Sequence, residues 1–160
     1  MLNQTGIPTS EQVLSRFPDR KALVRPKAIL ECYEDIPCNP CSTACPFNAI
    51  NIGDNINTQP KLNVEACTGC GLCIPSCPGV AIVVVQLQSD KAVFKLAYEF
   101  LPIPEKKQVW YGVNRSGDVI CDAHIDQVLL SQQQDHTAVI TVSVPAEHLY
   151  EFVTIRVKNE

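Results

Sequence analysis

The stretch Cys67-Thr68-Gly69-Cys70-Gly71-Leu72-Cys73-Ile74-Pro75-Ser76-Cys77-Pro78 sets four thiols at C-x2-C-x2-C-x3-C spacing and closes on proline. Three cysteines at such intervals wrap a loop around one iron–sulfur cluster. The fourth opens a segment pointing elsewhere, so in paired runs it ligates the other cluster. Gly69 and Gly71 allow the loop positive φ, which brings backbone N–H groups near the sulfurs. Such hydrogen bonds are one determinant of cluster potential.

A related run precedes it: ECYEDIPCNPCSTACP, residues 31–46. Read back from Pro46, Cys45, Cys41 and Cys38 keep step, but the expected fourth position holds Asp35 and a spare thiol sits earlier, at Cys32. A shift of 32 residues carries Cys38 to Cys70, Cys41 to Cys73 and Cys45-Pro46 to Cys77-Pro78. It also carries Ala49-Ile50 to Ala81-Ile82 and Ile52 to Val84, so each run is followed by an apolar strand at one offset. Two similar halves that cannot each bury a face predict pairing about a pseudo-twofold axis.

By the crossing rule, one [4Fe–4S] cluster takes Cys45, Cys67, Cys70 and Cys73; the other takes Cys38, Cys41, Cys77 and one further ligand. Four completions are open. Cys32 can reach across YEDIP; Asp35 can bind through oxygen; the corner can stay empty, leaving a [3Fe–4S] cluster; or no cluster forms and Cys32 is a core thiol beneath Ala28 and Leu30. The softness of thiolate favours Cys32. Pro37 and Pro40 carry no N–H, so this site is expected to have the lower potential. Zinc held by Cys38-x2-Cys41 and Cys67-x2-Cys70 is the plain alternative, but it leaves Cys45, Cys73 and Cys77 idle.

Nine cysteines in 160 residues, eight of them within 32–77, read as metal ligands in a chain whose start, MLNQTGIPTSEQ, shows no secretory pattern. No run of about 18 apolar residues exists, so no membrane span is expected, and the cytoplasm is the expected location. A net charge of −4 without any Lys/Arg-rich stretch argues against nucleic acid. Thiolate-held clusters would add negative charge and favour basic faces on partners.

The fold class is α+β. Residues 1–26 form a lead-in, with Ser10 capping a helix over Glu11–Arg16 and Pro18 closing it. Residues 27–85 form the two-cluster unit, opened by KAILECY, whose alternation predicts a strand. Residues 86–160 form a small, mostly antiparallel β domain, with strands over KAVFKLAY, KQVWYGVN, DVICDAHIDQVLL, TAVITVSV and FVTIRVK. NRSG (114–117) predicts a hairpin turn, PAEHLYEF one helical turn, and LPIPEK a stiff connector. Cys121 reads as a buried core thiol with Val119, Ala123 and Ile125. His124, with Asp122 and Asp126, reads as a solvated face in preference to a metal site, and His136 and His148 as surface residues. Trp110 and Tyr111 fit a β core or an interface. No catalytic constellation is found.

Over roughly residues 30–84 the paired runs resemble the bacterial two-cluster 2[4Fe–4S] ferredoxin domain. Through TGIPTSEQV, ECYEDIPCNPCSTACPFNAI and TAVITVSVPAEHLYEFV, the chain is also similar to the ferredoxin-like subunits of FAD-dependent amine and amino-acid oxidoreductases of the hydroxyproline, proline and opine dehydrogenase type. That resemblance implies a hetero-oligomer with FAD on partner subunits, a small [2Fe–2S] protein as a further candidate partner, and Cys32 within the pattern. The expected role is an iron–sulfur electron-transfer subunit, not itself an enzyme. It would relay single electrons from a flavin-containing dehydrogenase subunit for a small amine or amino acid to an acceptor, with residues 86–160 as docking module. The alternative is an iron–sulfur sensor or scaffold; the chain shows no basic helix of the kind a DNA-binding sensor uses.

Overall fold

The structure is a computed structural model that describes residues 2, 4–130 and 137–158. Its strands are β1 (Lys27–Leu30), β2 (Ile50–Asn51), β3 (Lys61–Leu62), β4 (Ile82–Gln88), β5 (Lys91–Tyr98), β6 (Val109–Val113), β7 (Val119–Leu129), β8 (Ala138–Pro145) and β9 (Thr154–Arg156). β2 and β3 form a two-stranded sheet, and the others form one seven-stranded sheet in the order β1-β4-β5-β8-β7-β6-β9. Every pairing is antiparallel. Three short helices, α1 (Ser10–Arg16), α2 (Pro40–Ala44) and α3 (Cys73–Ser76), complete an arrangement compatible with an α+β class.

The internal repeat is visible in the register. In β1–β4, Leu30 faces Ile82 and Ile29 faces Val83. In β2–β3, Leu62 faces Ile50 and Lys61 faces Asn51. Adding 32 to Leu30 and Ile50 gives Leu62 and Ile82, so each pair is the other with its strands exchanged. Backbone bonds repeat in the same way. Glu31 N–H donates to Ala81 C=O at 2.8 Å, and Asn63 N–H to Ala49 C=O at 2.7 Å. Asn48 and Val80, which close the turns after the two C-P pairs, share a left-handed φ of 50° and 52°.

β1 is buried at all four positions rather than alternating. The reason is that both faces of this part of the sheet are covered, a condition that selects continuous apolar runs. Ile29, Val85, Phe94, Leu96, Ile140 and Val142 fill a core on one face. Ala28, Leu30, Ile82, Val84, Ala97 and Val139 face the cysteine loops on the other. The sequence-based boundary between residues 85 and 86 therefore lies inside β4, and β5 and β8 contribute side chains to the cysteine-side core. Each fully buried Val, Ile, Leu or Phe stabilises by about 1.5–3 kcal/mol, and this sheet draws on both cores at once.

Several local expectations shift. The N-cap of α1 is Thr9, not Ser10: Gln12 N–H donates to the Thr9 hydroxyl at 3.2 Å, and Thr9 N–H to Gln12 Oε1 at 2.8 Å. A Gln three residues after Thr9 completes a capping box, which Ser10 lacks. NRSG does form the β6–β7 turn, with Asn114 Oδ1 accepting from Ser116 and Asp118 N–H and Gly117 at φ +85°. PAEHLYEF gives a 3-10 turn at Ala146–His148. Trp110 is a core residue, edge-on to Tyr98 with centroids 5.9 Å apart. His148 is half-buried rather than a lone surface residue, its Nδ1 3.0 Å from Glu151. His124 is exposed; its neighbour Asp122 pairs with Lys158 at 2.6 Å and Asp126 accepts from Ser143. His136 lies outside the described residues. Among the described residues, no helix is long and apolar enough to cross a membrane.

Cys121 is half-buried against the first core, and burial pushes its thiol up to about 11. Its Sγ occupies the space a side chain at Gly112 would need, 2.7 Å from an ideal Cβ there, with Phe152 close behind. Gly112→Ala should therefore destabilise by about 1–3 kcal/mol through overpacking, lowering Tm by roughly 2–4 °C per kcal/mol. Adding Cys121→Ala should restore part of the loss in the same melting experiment; no recovery would mean that the strain lies elsewhere.

Candidate metal centre

The four cysteines of the first expected set, Cys45, Cys67, Cys70 and Cys73, line one pocket. Ala28, Ile50, Leu62 and Val84 form its apolar wall, and Phe47 and Leu72 lie at its rim. The loop that carries three of these cysteines bends through Gly69 at φ +70° and Gly71 at φ +85°. Gly69 also lies against the backbone of Pro26, where a Cβ would come within 2.4 Å of the carbonyl oxygen. The next residue, Lys27, is buried and donates from Nζ to the carbonyls of Val64 at 2.7 Å and Cys67 at 2.6 Å. Ala28 N–H points at Cys67 Sγ at 3.4 Å, and Ala49 N–H at Cys45 Sγ at 3.3 Å.

Burial, with Cys70, Cys67 and Cys45 as charged neighbours, pushes the Cys73 thiol up to about 12. Thiolates gathered at one place, with Cys67 and Cys73 buried, need compensating positive charge, which the iron of a cluster would provide. The donor set and the N–H···S bonds therefore fit a thiolate-held cluster.

The second set is assembled by the same rules. Ala81 N–H points at Cys77 Sγ at 3.4 Å, the counterpart of Ala49 and Cys45 thirty-two residues earlier. Burial raises the Cys32 thiol, and Cys77 and Cys38 raise it further, with Arg16 opposing. Burial likewise raises Cys41, which also feels Cys77 and Cys38. The fold thus brings Cys32 near Cys77 and Cys38, which also stand near Cys41. Asp35 is turned to Gln59, whose Nε2 donates to its carboxylate at 2.9 Å and to the Tyr33 carbonyl at 2.9 Å. Gln59 is the counterpart of Lys27 under the 32-residue shift, and each residue holds the start of a cysteine loop. Among the described residues, no group of three or more His, Cys, Asp or Glu is gathered closely enough to hold a single metal ion.

The sites differ in three respects. Cys32 and Cys38 are separated by five residues where Cys67 and Cys70 are separated by two. Closing the longer loop costs only about 0.8 kcal/mol more. Ordering three additional residues costs about 3–6 kcal/mol, so this segment needs anchors. The N–H···S bonds are also unequal: Ala28 and Cys67 correspond to Pro60 and Asp35, and Pro60 has no N–H to offer. The Ala28 N–H bond to Cys67 thus has no counterpart at the second set, whereas those of Ala49 and Ala81 match. Arg16 acts on Cys32 in the second set and the Lys27 ammonium sits on the Cys67 carbonyl in the first, so the missing N–H at Pro60 is the asymmetry that sets the expected order.

Sequence reasoning identified the cysteines but not the residues that hold their loops. Lys27 and Gln59 were detectable as a pair under the repeat, although their types differ. Arg16, Glu31 and Arg115 gave no signal, because their contacts join positions far apart in the chain.

Redox-titrated EPR should resolve two midpoints, the lower from the set containing Cys38 and Cys77; equal midpoints would refute the hydrogen-bond argument. Gly69→Ala should lower the iron content of the first set selectively, since the new methyl would displace the loop from Pro26. Iron and sulfide analysis alongside the EPR spectra reads that loss directly.

Residues 36–92 match the family described as the 4Fe-4S dicluster domain. The match includes seven of the eight clustered cysteines and begins after Cys32. The Ferredoxin-type protein NapF of Haemophilus influenzae is 38% identical over 58 residues, covering 35% of this chain and 33% of that protein. A subunit of the Na(+)-translocating ferredoxin:NAD(+) oxidoreductase complex of Acetobacterium woodii is 47% identical over 38 residues, 24% of this chain and 11% of the relative. Formate hydrogenlyase subunit 6 of Escherichia coli is 32% identical over 59 residues, 37% of this chain and 31% of the relative. The chain thus spans a third or less of the length of these curated relatives. No solved structure matches it. Two interlocked cysteine runs and the family match together make residues 36–92 a 4Fe–4S dicluster ferredoxin domain, an iron–sulfur unit of the electron-transport kind.

Proposed function

We propose that this chain is the electron-transfer subunit of an oxidoreductase complex, taking single electrons from a flavin-containing dehydrogenase subunit for a small amine or amino acid and delivering them to an acceptor. The observation that carries this reading is the crosswise exchange of Cys45 and Cys77 between two cysteine sets within one shared core. We assign Cys45, Cys67, Cys70 and Cys73 to one [4Fe–4S] site and Cys32, Cys38, Cys41 and Cys77 to the other. A [4Fe–4S] cluster, when bound, gains and loses one electron with little change in shape. The chain's own residues do the rest. Ile50, Val84, Ala97 and Val139 keep water from the sulfurs, and Ala28, Ala49 and Ala81 direct N–H groups at them. Exposed Cys70, beside Phe47 and Leu72 at the cavity rim, gives the first set its most direct route to a partner.

Relatives named as subunits of a ferredoxin:NAD(+) oxidoreductase complex and of formate hydrogenlyase support a hetero-oligomer. FAD belongs on a partner chain, and a small [2Fe–2S] protein is a second candidate partner. The docking role assigned to residues 86–160 is tested by point changes, because truncation would cut β4 and strip β5 and β8 from the cysteine-side core. Phe100 and Leu101, 73% and 85% exposed on the β5–β6 connection, are apolar residues of the kind an interface covers.

Native mass spectrometry of the purified assembly should show this chain with iron, sulfide and a flavoprotein together. Adding an amine or amino-acid substrate to that assembly should produce reduced iron–sulfur EPR signals on this chain. An isolated, oxygen-labile monomer with no flavin partner would favour a sensor. Phe100→Asp with Leu101→Asp should weaken assembly about tenfold or more, the loss of two apolar anchors, with iron content unchanged.

A further inference from the structure

The segment Glu31-Cys32-Tyr33 leaves β1 and enters the long loop toward Cys38, and both residues beside Cys32 are gripped from outside the ferredoxin unit. Glu31 forms a two-point ion pair with Arg115 in the β6–β7 turn: Nε donates to Oε2 at 2.8 Å and Nη2 to Oε1. Arg115 Nη1 also donates to the Tyr150 carbonyl at 2.7 Å, which anchors the guanidinium to the segment before β9. The two side chains are only 12% and 18% exposed, so solvent screening is weak and the planar fork fixes the carboxylate in orientation. The Tyr33 hydroxyl donates to Glu31 Oε2 at 3.2 Å.

From the other side comes Arg16, in the last turn of α1. Its guanidinium lies 5.2 Å from the centroid of the Tyr33 ring, and its Nη2 donates to Gln59, the residue that holds the Tyr33 carbonyl. Its Nε is buried with no protein acceptor among the described residues. An orphaned donor of this kind is expensive in a finished fold, and here it belongs to a cation that acts electrostatically on Cys32.

We propose that Arg16 and Arg115 are positioning residues for the second metal site, clamping Glu31 and Tyr33 so that Cys32 is held where a fourth ligand is required. The inference rests on the assignment of Cys32 to that site. The β1–β4 ladder already ties this edge of the sheet, so the ion pair is not needed for strand pairing. The matching loop from Cys67 to Cys70 is shorter by three residues, and Lys27 and Asn63, both from within the ferredoxin unit, hold its start. A clamp supplied by the lead-in helix and by a turn in the second half of the chain gives both flanking segments a task at the metal site.

The test uses the assembled full-length holoprotein carrying Arg115→Ala, Arg16→Ala, Arg115→Lys, Glu31→Gln or Cys32→Ala, with Lys158→Ala as a control on a remote exposed pair. Iron and sulfide are counted by native mass spectrometry, release to a chelator is timed, and EPR follows each site. Removing such supporting contacts typically weakens metal binding by about 10- to 100-fold. Both alanine variants should therefore release iron from the second site about tenfold faster or more, through a [3Fe–4S] form, while the first site keeps its spectrum. Arg115→Lys should recover part of the loss, and Lys158→Ala should change nothing. Where an alanine variant does not fold, Arg115→Lys and Glu31→Gln read the same difference between sites. Equal loss from both sites, or unchanged release from the second, would overturn the clamp. If Cys32→Ala loses second-site iron while both arginine variants keep it, the ligand assignment stands and the clamp alone fails. Retention of all iron in Cys32→Ala removes the assignment, and the clamp with it.

Discussion

The antiparallel pairing of β1 with β4 is the constraint on which the rest of this structure depends. It joins the strand before the first cysteine run to the strand after the second, so both runs close on one ladder. The same strands are the first two of a seven-stranded sheet. One face of that ladder is wall to the cysteine loops and the other is wall to an all-β core. Displacing it by one residue would exchange the two faces, because side chains alternate along a strand. The apolar character of both sides of Lys27–Leu30 and Ile82–Gln88 is therefore a joint requirement of two cores.

Within that frame, the two halves of the repeat are alike where geometry is shared and unlike where chemistry differs. The exchange of Cys45 and Cys77, the N–H bonds from Ala49 and Ala81, and the left-handed turns at Asn48 and Val80 are the same device twice. The entrances to the loops are not. One is a short glycine loop held by a lysine against two carbonyls. The other is three residues longer, contains prolines, and is anchored by Gln59, Arg16 and Arg115. A longer ligand loop loses more conformational entropy on ordering, and contacts from several elements offset that loss. Residues outside the ferredoxin unit thereby become relevant to the metal site.

The 32-residue repeat, the strands of the second half and the NRSG turn were all readable in the sequence, because each rests on local spacing, periodicity or turn chemistry. Capping of α1 was misplaced by one residue, since Ser10 and Thr9 are both good caps and only the reach of Gln12 separates them. The half-buried state of His148 was missed because it ends a short 3-10 segment and its partner Glu151 lies three residues beyond it.

Sequence by itself determined the ligand chemistry: which thiols stand at cluster spacing, which residues lack an N–H, and which position breaks the pattern. These are properties of covalent order and need no fold to express them. Tertiary structure alone decided that β4 continues into the second half without a boundary, that Cys32 lies near Cys38 and Cys77 while Asp35 turns to Gln59, and that Arg115 reaches Glu31 across the molecule. Each of these depends on long-range pairing between surfaces whose partners are far apart along the chain, and no local pattern encodes such a contact.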